Sequence, residues 1–204
     1  MLFEDTYKTV TSRSEGIYKD KGSKFIGIAL PVRTEEEVKK RLNEIKTEYH
    51  DARHHCYAFM LGATKSASRY NDDGEPSGTA GRPILGQINS KDLTDILIVV
   101  VRYFGGTKLG VRGLINAYKS SALEAITASR IIIKTVDEIY VVQFDYPMMN
   151  QVMQIIKDSN VKIISQDFDL KCRLEYLVRK SLADHVFNRL IKNKELEVSY
   201  IRNA

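Results

Sequence analysis

Apolar residues recur at two different intervals along this chain, and the change from one to the other marks out its elements. The segment GIYKDKGSKFIGIALPV (16–32) alternates as paired strands do, which predicts a hairpin turning near Lys21-Gly22. From Thr34, a capping-box spacing precedes apolar residues at helical intervals, which predicts a helix that ends near Tyr49. The run ILIVVVRY (96–103) is the most apolar of the chain and predicts a central strand.

The rest of this first region also divides into strands and helices. A mostly buried strand is predicted at 57–61, and AGRPILGQI begins a short helix near residue 80. A second helix is predicted from apolar residues that share one face, and a further strand follows at 131–133. The residues on that helix face are Leu114, Tyr118, Ala122 and Ala125.

The pattern resets near residues 134–137, which predicts a second domain. The order that follows is strand, helix, strand, strand, helix, strand, which is that of the ferredoxin-like βαββαβ motif. The predicted ranges are 139–145, 147–158, 161–168, 170–178, 181–192 and 197–201. We therefore predict an α+β protein of two domains, 1–134 and 135–204, each mixing helices and strands.

Composition excludes several classes of protein. With 204 residues, 43% of them hydrophobic and 28% charged, the chain is typical of globular proteins. No apolar run reaches the roughly 18–20 residues that a membrane span needs, and the first residues lack the pattern of a secretory signal. Cys56 and Cys172 lie too far apart in sequence to indicate a disulfide framework. The expected location is the cytoplasm, with no membrane partner.

Positive charge is concentrated in the first domain. Residues 1–134 contain 21 Lys and Arg against 16 Asp and Glu, a net charge of +5, whereas residues 135–204 contain 10 of each. No acidic residue occurs between Ile96 and Leu123, although this segment contains four basic ones. Such a stripe attracts phosphates or an acidic partner surface, but it is also compatible with ordinary solvation of a loop and a helix face.

The stretch NDDGEPSGTAGRP (71–83) gathers carboxylates, glycines and hydroxyls where a strand leads into a helix. Its glycines would let backbone amides approach a ligand, and Ser77 or Thr79 is placed to cap the helix. A helix start with free N–H groups would bind an anion, and the carboxylates suit a cation, a water or a basic partner. The same composition is typical of a tight surface turn, so the residues favour a site without defining its chemistry.

The segment FGGTKLGVRG repeats this arrangement of apolar strand, glycine-rich turn and helix. It matches neither GxxxxGK[ST] nor GxGxxG, so it does not indicate a known nucleotide-binding loop. Arg102 and Lys108 flank the turn and Arg112 begins the helix, which would give a bound anion cationic partners. The alternative is a tight turn in which Gly105 and Gly106 only permit close packing.

Histidines cluster next to Cys56, which raises the question of a metal. Strand alternation places His54 and Cys56 on one face and His55 on the other, and two ligands do not make a zinc site without a third. A Cys–His nucleophile pair is a further alternative. We favour Cys56 as a small buried apolar residue and His54 as a hydrogen-bonded wall of a cleft. No metal and no cofactor is expected.

With these motifs the chain resembles the Impact/YigZ family over essentially its full length. The matching segments are GSKFI (22–26), the Ala-x-His-x-Cys run (52–56), DDGEPSGTAGRPIL (72–85) and VVVRYFGGTKLG (99–110). The resemblance implies a first domain with the fold of the second domain of a small-subunit ribosomal protein, which GHMP kinases also use. It implies a ferredoxin-like second domain similar to the last domain of elongation factor G. Eukaryotic members act in translational control by binding a protein that activates a translation-initiation-factor kinase.

One position departs from the family pattern. The family has Gly-Gly where this chain has Arg112-Gly113, and an arginine is disfavoured at a strongly left-handed backbone angle. Either the position does not require glycine, or the turn is altered here and gains a cation. We predict the second, which would strengthen an anion site.

The sequence therefore predicts a translation-associated regulatory or binding protein that contacts RNA, the ribosome or a translation-factor partner. The alternative is an enzyme acting on a phosphorylated small molecule or nucleotide in a cleft of the first domain. In a third interpretation the motif loops dock a protein partner. A binding role is favoured over an enzyme, and no catalytic residue is assigned. The predicted binding residues are His54, Cys56, Asp73, Glu75, Ser77, Gly78, Thr79, Arg102, Gly105, Gly106, Lys108 and Arg112.

Overall fold

A computed structural model of the protein describes residues 5–169 and 171–203. This part of the chain folds into two compact units, residues 7–134 and residues 5–6 together with 135–203. Each unit combines helices with an antiparallel sheet, so the predicted α+β fold of two domains is confirmed. Among the described residues, no helix has both the length and the apolar character needed to cross a membrane.

The first domain is built on a sheet of five antiparallel strands. Its elements, in chain order, are β1 (Thr6–Val10), β2 (Ser14–Asp20), β3 (Ser23–Pro31), α1 (Glu35–Glu48), β4 (His54–Leu61), β5 (Ala67–Asn71), α2 (Gly81–Ser90), β6 (Ile96–Tyr103), α3 (Gly110–Thr127) and β7 (Ile131–Thr135). The strands of the main sheet pair in the order β2-β3-β6-β4-β5. The sheet thereby brings the end of β6 beside the beginning of β4, with His54 opposite Arg102.

Strand β6 is the middle strand of this sheet, as its apolar run predicted, and seven of its eight residues are buried. Side chains such as Ile98 and Val100 pack with residues of α2 and α3 on one face. Leu97 and Val99, on the other face, pack with residues of α1. Because both faces are covered, the strand reads as a continuous apolar run instead of an alternating one.

Two local predictions are also confirmed in the first domain. The β2–β3 hairpin turns at Lys21 and Gly22, whose φ angles of 44° and 80° are both positive, as a type I′ turn requires. Helix α1 begins after Thr34, whose Oγ1 accepts a hydrogen bond from the backbone N–H of Glu37 at 3.2 Å. The Glu37 carboxylate in turn accepts from the N–H of Arg33 at 2.7 Å, one residue earlier than an ideal capping box.

Two strands of the first domain, β1 and β5, were not predicted. β1 and β5 have few buried residues, so they lack the apolar alternation that identifies a strand in sequence. The strand expected at 131–133 is present as β7, but it pairs with β1 in a separate two-stranded sheet.

The second domain has the strand order of a ferredoxin-like sheet. Its elements are β8 (Asp137–Phe144), a 3-10 turn (Tyr146–Met148), α4 (Met149–Asp158), β9 (Lys162–Phe168), β10 (Cys172–Arg179), α5 (Lys180–Ile191) and β11 (Glu197–Asn203). The strands pair antiparallel in the order β11-β8-β10-β9, which confirms the predicted βαββαβ arrangement. The predicted start of the third strand, Leu170, lies outside the described residues.

An ion pair holds Asp5 within the second domain. Nε and Nη2 of Arg179 donate to the two carboxylate oxygens of Asp5, and the Asp5 carbonyl accepts from the N–H of Val136 at 2.7 Å. The hydrogen bond from Arg179 lowers the pKa of the Asp5 carboxyl below its ordinary value. Residues that are remote in sequence therefore complete this domain.

Candidate binding site of the first domain

The motif loop between β5 and α2 is organised around Asp72. Its Oδ2 accepts a hydrogen bond from the N–H of Gly78 at 2.8 Å, and its Oδ1 accepts from the N–H groups of Ala80 and Gly81 at 3.0 and 2.8 Å. A carboxylate at this place satisfies orphan donors of the first helical turn and interacts favourably with the helix dipole. The N–H groups at the start of α2 are thus already bonded to a side chain of the loop itself.

This arrangement corrects the prediction that Ser77 or Thr79 caps α2. The Thr79 hydroxyl donates instead to the carbonyl of Pro76 at 2.6 Å, and Ser77 is exposed. The physical reason is that a carboxylate is charged and offers two acceptor oxygens, so it can serve three N–H groups at once.

Asp73 fixes the position of the neighbouring histidines. It has a positive φ of 42°, which is uncommon for a residue other than glycine and marks a backbone held by its surroundings. Its Oδ2 accepts from the N–H of His55 at 2.7 Å, and its carbonyl oxygen lies 2.7 Å from Nδ1 of His54. Since a carbonyl oxygen only accepts, Nδ1 carries a proton, and in the neutral form of the ring Nε2 is therefore the acceptor.

Glu75 lies at the centre of a buried polar network. Its Oε1 accepts from Nη1 of Arg102 on β6 and from the hydroxyl of Tyr118 on α3, the latter at 2.8 Å. The Glu75 and Arg102 side chains are only 4% and 8% exposed. The guanidinium of Arg102 also lies 5.4 Å from the ring centroid of Phe25 and 5.6 Å from that of Phe104. The ion pair therefore ties the loop to the sheet and to a helix.

Cys56 joins this network as a thiol. Its Sγ donates to the carbonyl of Asp72 at 3.0 Å and lies 3.4 Å from the Tyr118 hydroxyl. Burial raises the pKa of Cys56 to about 12, and burial likewise raises the pKa of Tyr118 above its ordinary value. At neutral pH the thiol remains protonated, so this geometry gives Cys56 a packing role and not that of an activated nucleophile.

A cleft of about 530 Å³ opens between the motif loop and the start of α3. Four of the predicted binding residues line it: His54, Glu75, Arg102 and Lys108. The rest of its lining combines one more cation with apolar side chains, and sequence reasoning missed these residues. They are Arg53, Pro76, Phe104, Leu109, Val111 and Leu114, together with Gly110. Most of them lie inside the motif segments, where nothing in the sequence distinguished them from their neighbours: Arg53 in 52–56, Pro76 in 72–85, and Phe104, Leu109 and Gly110 in 99–110.

The other predicted binding residues are not part of the cleft lining. Cys56 and Asp73 lie behind it, where they hold Asp72, His54 and His55 in place. The remaining six lie in the loop, the second glycine-rich turn and the helix that follows it: Ser77, Gly78, Thr79, Gly105, Gly106 and Arg112.

The structure also overturns the expected altered turn at Arg112. This residue lies inside α3, which begins at Gly110, and its backbone is helical, not left-handed. The position therefore does not require glycine, and the first of the two alternatives holds. Arg112 is exposed on the helix and does not line the cleft.

Gly105 serves packing between the second glycine-rich turn and the β2–β3 hairpin. A Cβ placed on Gly105 would collide with the carbonyl carbon of Gly22 and with the backbone N of Ser23. The Gly105 N–H also donates to the Ser23 hydroxyl at 3.1 Å. Two backbones therefore meet where no side chain fits, which is the alternative that the sequence had left open for this glycine.

We expect Gly105→Ala to lower the free energy of unfolding by about 2 kcal/mol, because the backbones must separate to admit the methyl group. Gly86→Ala is the matched control, since Gly86 lies in α2 with no neighbouring atom near an added Cβ. That change should raise stability by about 0.5–1 kcal/mol through helix propensity. Urea denaturation followed by circular dichroism measures both, and equal effects of the two changes would contradict the close approach.

A second cavity of about 510 Å³ lies elsewhere in the first domain, and no motif residue lines it. It includes residues of β1, α1 and β7, and its two carboxylates are engaged locally. Glu37 accepts from the N–H of Arg33, and Asp95 accepts from the N–H of Gly62. The cleft beside the motif loop is the candidate site because motif residues line it.

The chain is similar to known proteins in both sequence and structure. A family model described as the Impact N-terminal domain matches residues 21–126. The protein named IMPACT family member YvyE of Bacillus subtilis is 35% identical, with 98% of this chain and 95% of that protein covered. IMPACT family member YigZ of Escherichia coli is 36% identical, with 72% and 74% covered. A crystal structure described as that of an hypothetical protein superposes with a TM-score of 0.74 at 27% identity, covering 98% and 99% of the two chains.

Proposed function

This chain belongs to the Impact family, and we propose that it is a translation-associated binding protein whose first domain contacts RNA, the ribosome or a translation-factor partner. The observation that carries the proposal is the cleft beside the motif loop. Arg53 and Lys108 line it without an ion-pair partner among the described residues, while its one carboxylate, Glu75, is bonded to Arg102. A cleft with unpaired cations attracts phosphate or acidic groups.

The enzyme alternative receives less support from the geometry. It needs Asp73 or Glu75 as a base or a metal ligand, and both carboxylates already accept hydrogen bonds from the protein. Among the residues that the structure describes, no group of three or more His, Cys, Asp or Glu side chains is placed to hold a metal ion. The positions of these groups favour binding over turnover.

The test is co-sedimentation of the purified protein with ribosomal particles from a cell lysate. We expect association to fall about tenfold when salt rises from about 0.1 to about 0.5 M, because roughly two phosphate contacts would be displaced. Lys108→Glu should lower association at low salt, whereas Lys157→Glu, an equal charge change at an exposed position of α4, should not. Association that is insensitive to both salt and Lys108→Glu would contradict the proposal.

A further inference from the structure

The two helix starts that looked alike in sequence differ in the structure. At α2, the Asp72 carboxylate accepts from three N–H groups. At α3, the N-cap position is Leu109, no side chain makes a capping hydrogen bond, and the first turn contains no acid. Leu109 also lines the cleft, together with Gly110 and Val111. The positive end of α3 therefore remains available to an anion in the cleft.

Arg102 provides a second and independent indication that a ligand binds there. Its side chain is only 8% exposed and lines the cleft, while Nη1 is used by Glu75. Its Nε is buried and has no hydrogen-bond partner among the described residues. Buried polar groups are nearly always paired, so an orphan donor beside a cleft suggests that a bound group completes the set.

The cleft also presents an aromatic ring to its contents. Phe104 is 57% exposed, and the Arg102 guanidinium lies 5.6 Å from its ring centroid. Leu109, Val111 and Leu114 add apolar surface to the same cleft. The lining therefore combines an available ring, apolar walls and the unpaired cation Lys108, which suits a flat apolar group that carries a phosphate.

We propose that this cleft binds one nucleotide unit of single-stranded RNA, an inference that rests on the proposed function. The base stacks on Phe104. The phosphate is contacted by Lys108, Arg53 and the start of α3, and it also accepts from Nε of Arg102, which has no other partner among the described residues. His54, whose Nδ1 is bonded to the Asp73 carbonyl, offers Nε2 to a hydroxyl such as the ribose 2′-OH. A cleft of about 530 Å³ has room for one such unit. A free nucleotide shares this chemistry, whereas an acidic peptide would leave the stacking surface largely unused.

Fluorescence anisotropy with a labelled short oligoadenylate RNA tests the inference on the full chain. Phe104→Ala should weaken binding about tenfold, because the variant loses the ring on which the base stacks. Phe104→Tyr, which keeps an aromatic ring, should retain most of the affinity. Phe168→Ala is the matched control, because Phe168 is a 41% exposed ring of the second domain and should leave binding unchanged. Circular dichroism verifies that each variant is folded.

Competitors identify the source of the ligand. If adenosine monophosphate and an RNA duplex displace the labelled oligoadenylate only weakly, the ligand is single-stranded RNA. If adenosine monophosphate displaces it as effectively as unlabelled oligoadenylate does, the cleft binds free nucleotides and the RNA assignment is overturned. Displacement of the labelled oligoadenylate by an acidic peptide overturns the RNA assignment as well. If no oligoadenylate binds but ribosomal association still depends on Lys108, the inference fails and the proposed function stands. If no oligoadenylate binds and ribosomal association does not depend on Lys108, both the inference and the proposed function fail.

Discussion

Glu75→Ala should lower the free energy of unfolding by about 3–5 kcal/mol, because it leaves the buried guanidinium of Arg102 without its counter-charge. The same change removes the acceptor of the Tyr118 hydroxyl, so two donors lose a partner together. Hydrogen exchange measured by mass spectrometry should show faster exchange in β6 and α3, which carry Arg102 and Tyr118. Urea denaturation supplies the free energy.

Two further variants distinguish this effect from the loss of any ion pair. Glu44 pairs with Arg41 on the surface of α1, where both side chains are 47% exposed, so Glu44→Ala should cost less than about 1 kcal/mol. Glu75→Ala combined with Arg102→Met should regain much of the lost stability, because no buried charge is then left unpaired. A Glu75→Ala loss no larger than that of Glu44→Ala would show that the pair is not the centre of the network.

Asp72→Ala is expected to lower the free energy of unfolding by about 3 kcal/mol. Three backbone donors, those of Gly78, Ala80 and Gly81, lose their acceptor, and the start of α2 loses a favourable charge. Exchange at the first turn of α2 should accelerate most. Urea denaturation again measures the loss.

Asp72→Asn should have an intermediate effect, because one amide oxygen can still accept while the charge is lost. Ser77→Ala, in the same loop but with an exposed side chain, should change stability by less than about 0.5 kcal/mol. If Asp72→Ala and Ser77→Ala proved equally mild, the carboxylate would not be the cap that the geometry indicates.

The contrast between Asp72 and Glu75 explains how far the sequence could predict the site. Residue types and spacing identified the loop, and the predicted β6 and α3 carry Arg102 and Tyr118 to it. The sequence could not show that Asp72 turns back onto its own helix, because that depends on the path of the loop in space. Arg53 and Phe104 were missed for a similar reason, since each is brought to the cleft by the pairing of β4 with β6.

The fold itself was predictable wherever burial imposed a period on the sequence. Strand β6, helix α1 and the βαββαβ order each bury enough apolar side chains to leave such a pattern. Strand β5 does not, because four of its five residues are exposed. At Arg112, the glycine found in the family pattern led us to expect an altered turn. The residue instead lies in the first turn of a helix, where no special backbone angle is needed.

The bond between Asp5 and Arg179 spans 174 positions of the chain, and this separation matters during synthesis. Asp5 emerges from the ribosome early in synthesis, whereas its partner Arg179 emerges only after all of residues 7–134 have been made. The first domain can therefore complete its sheet on the nascent chain while the second still lacks most of its strands. Loop-closure entropy grows slowly with length, so this late pairing of distant residues is thermodynamically tolerable.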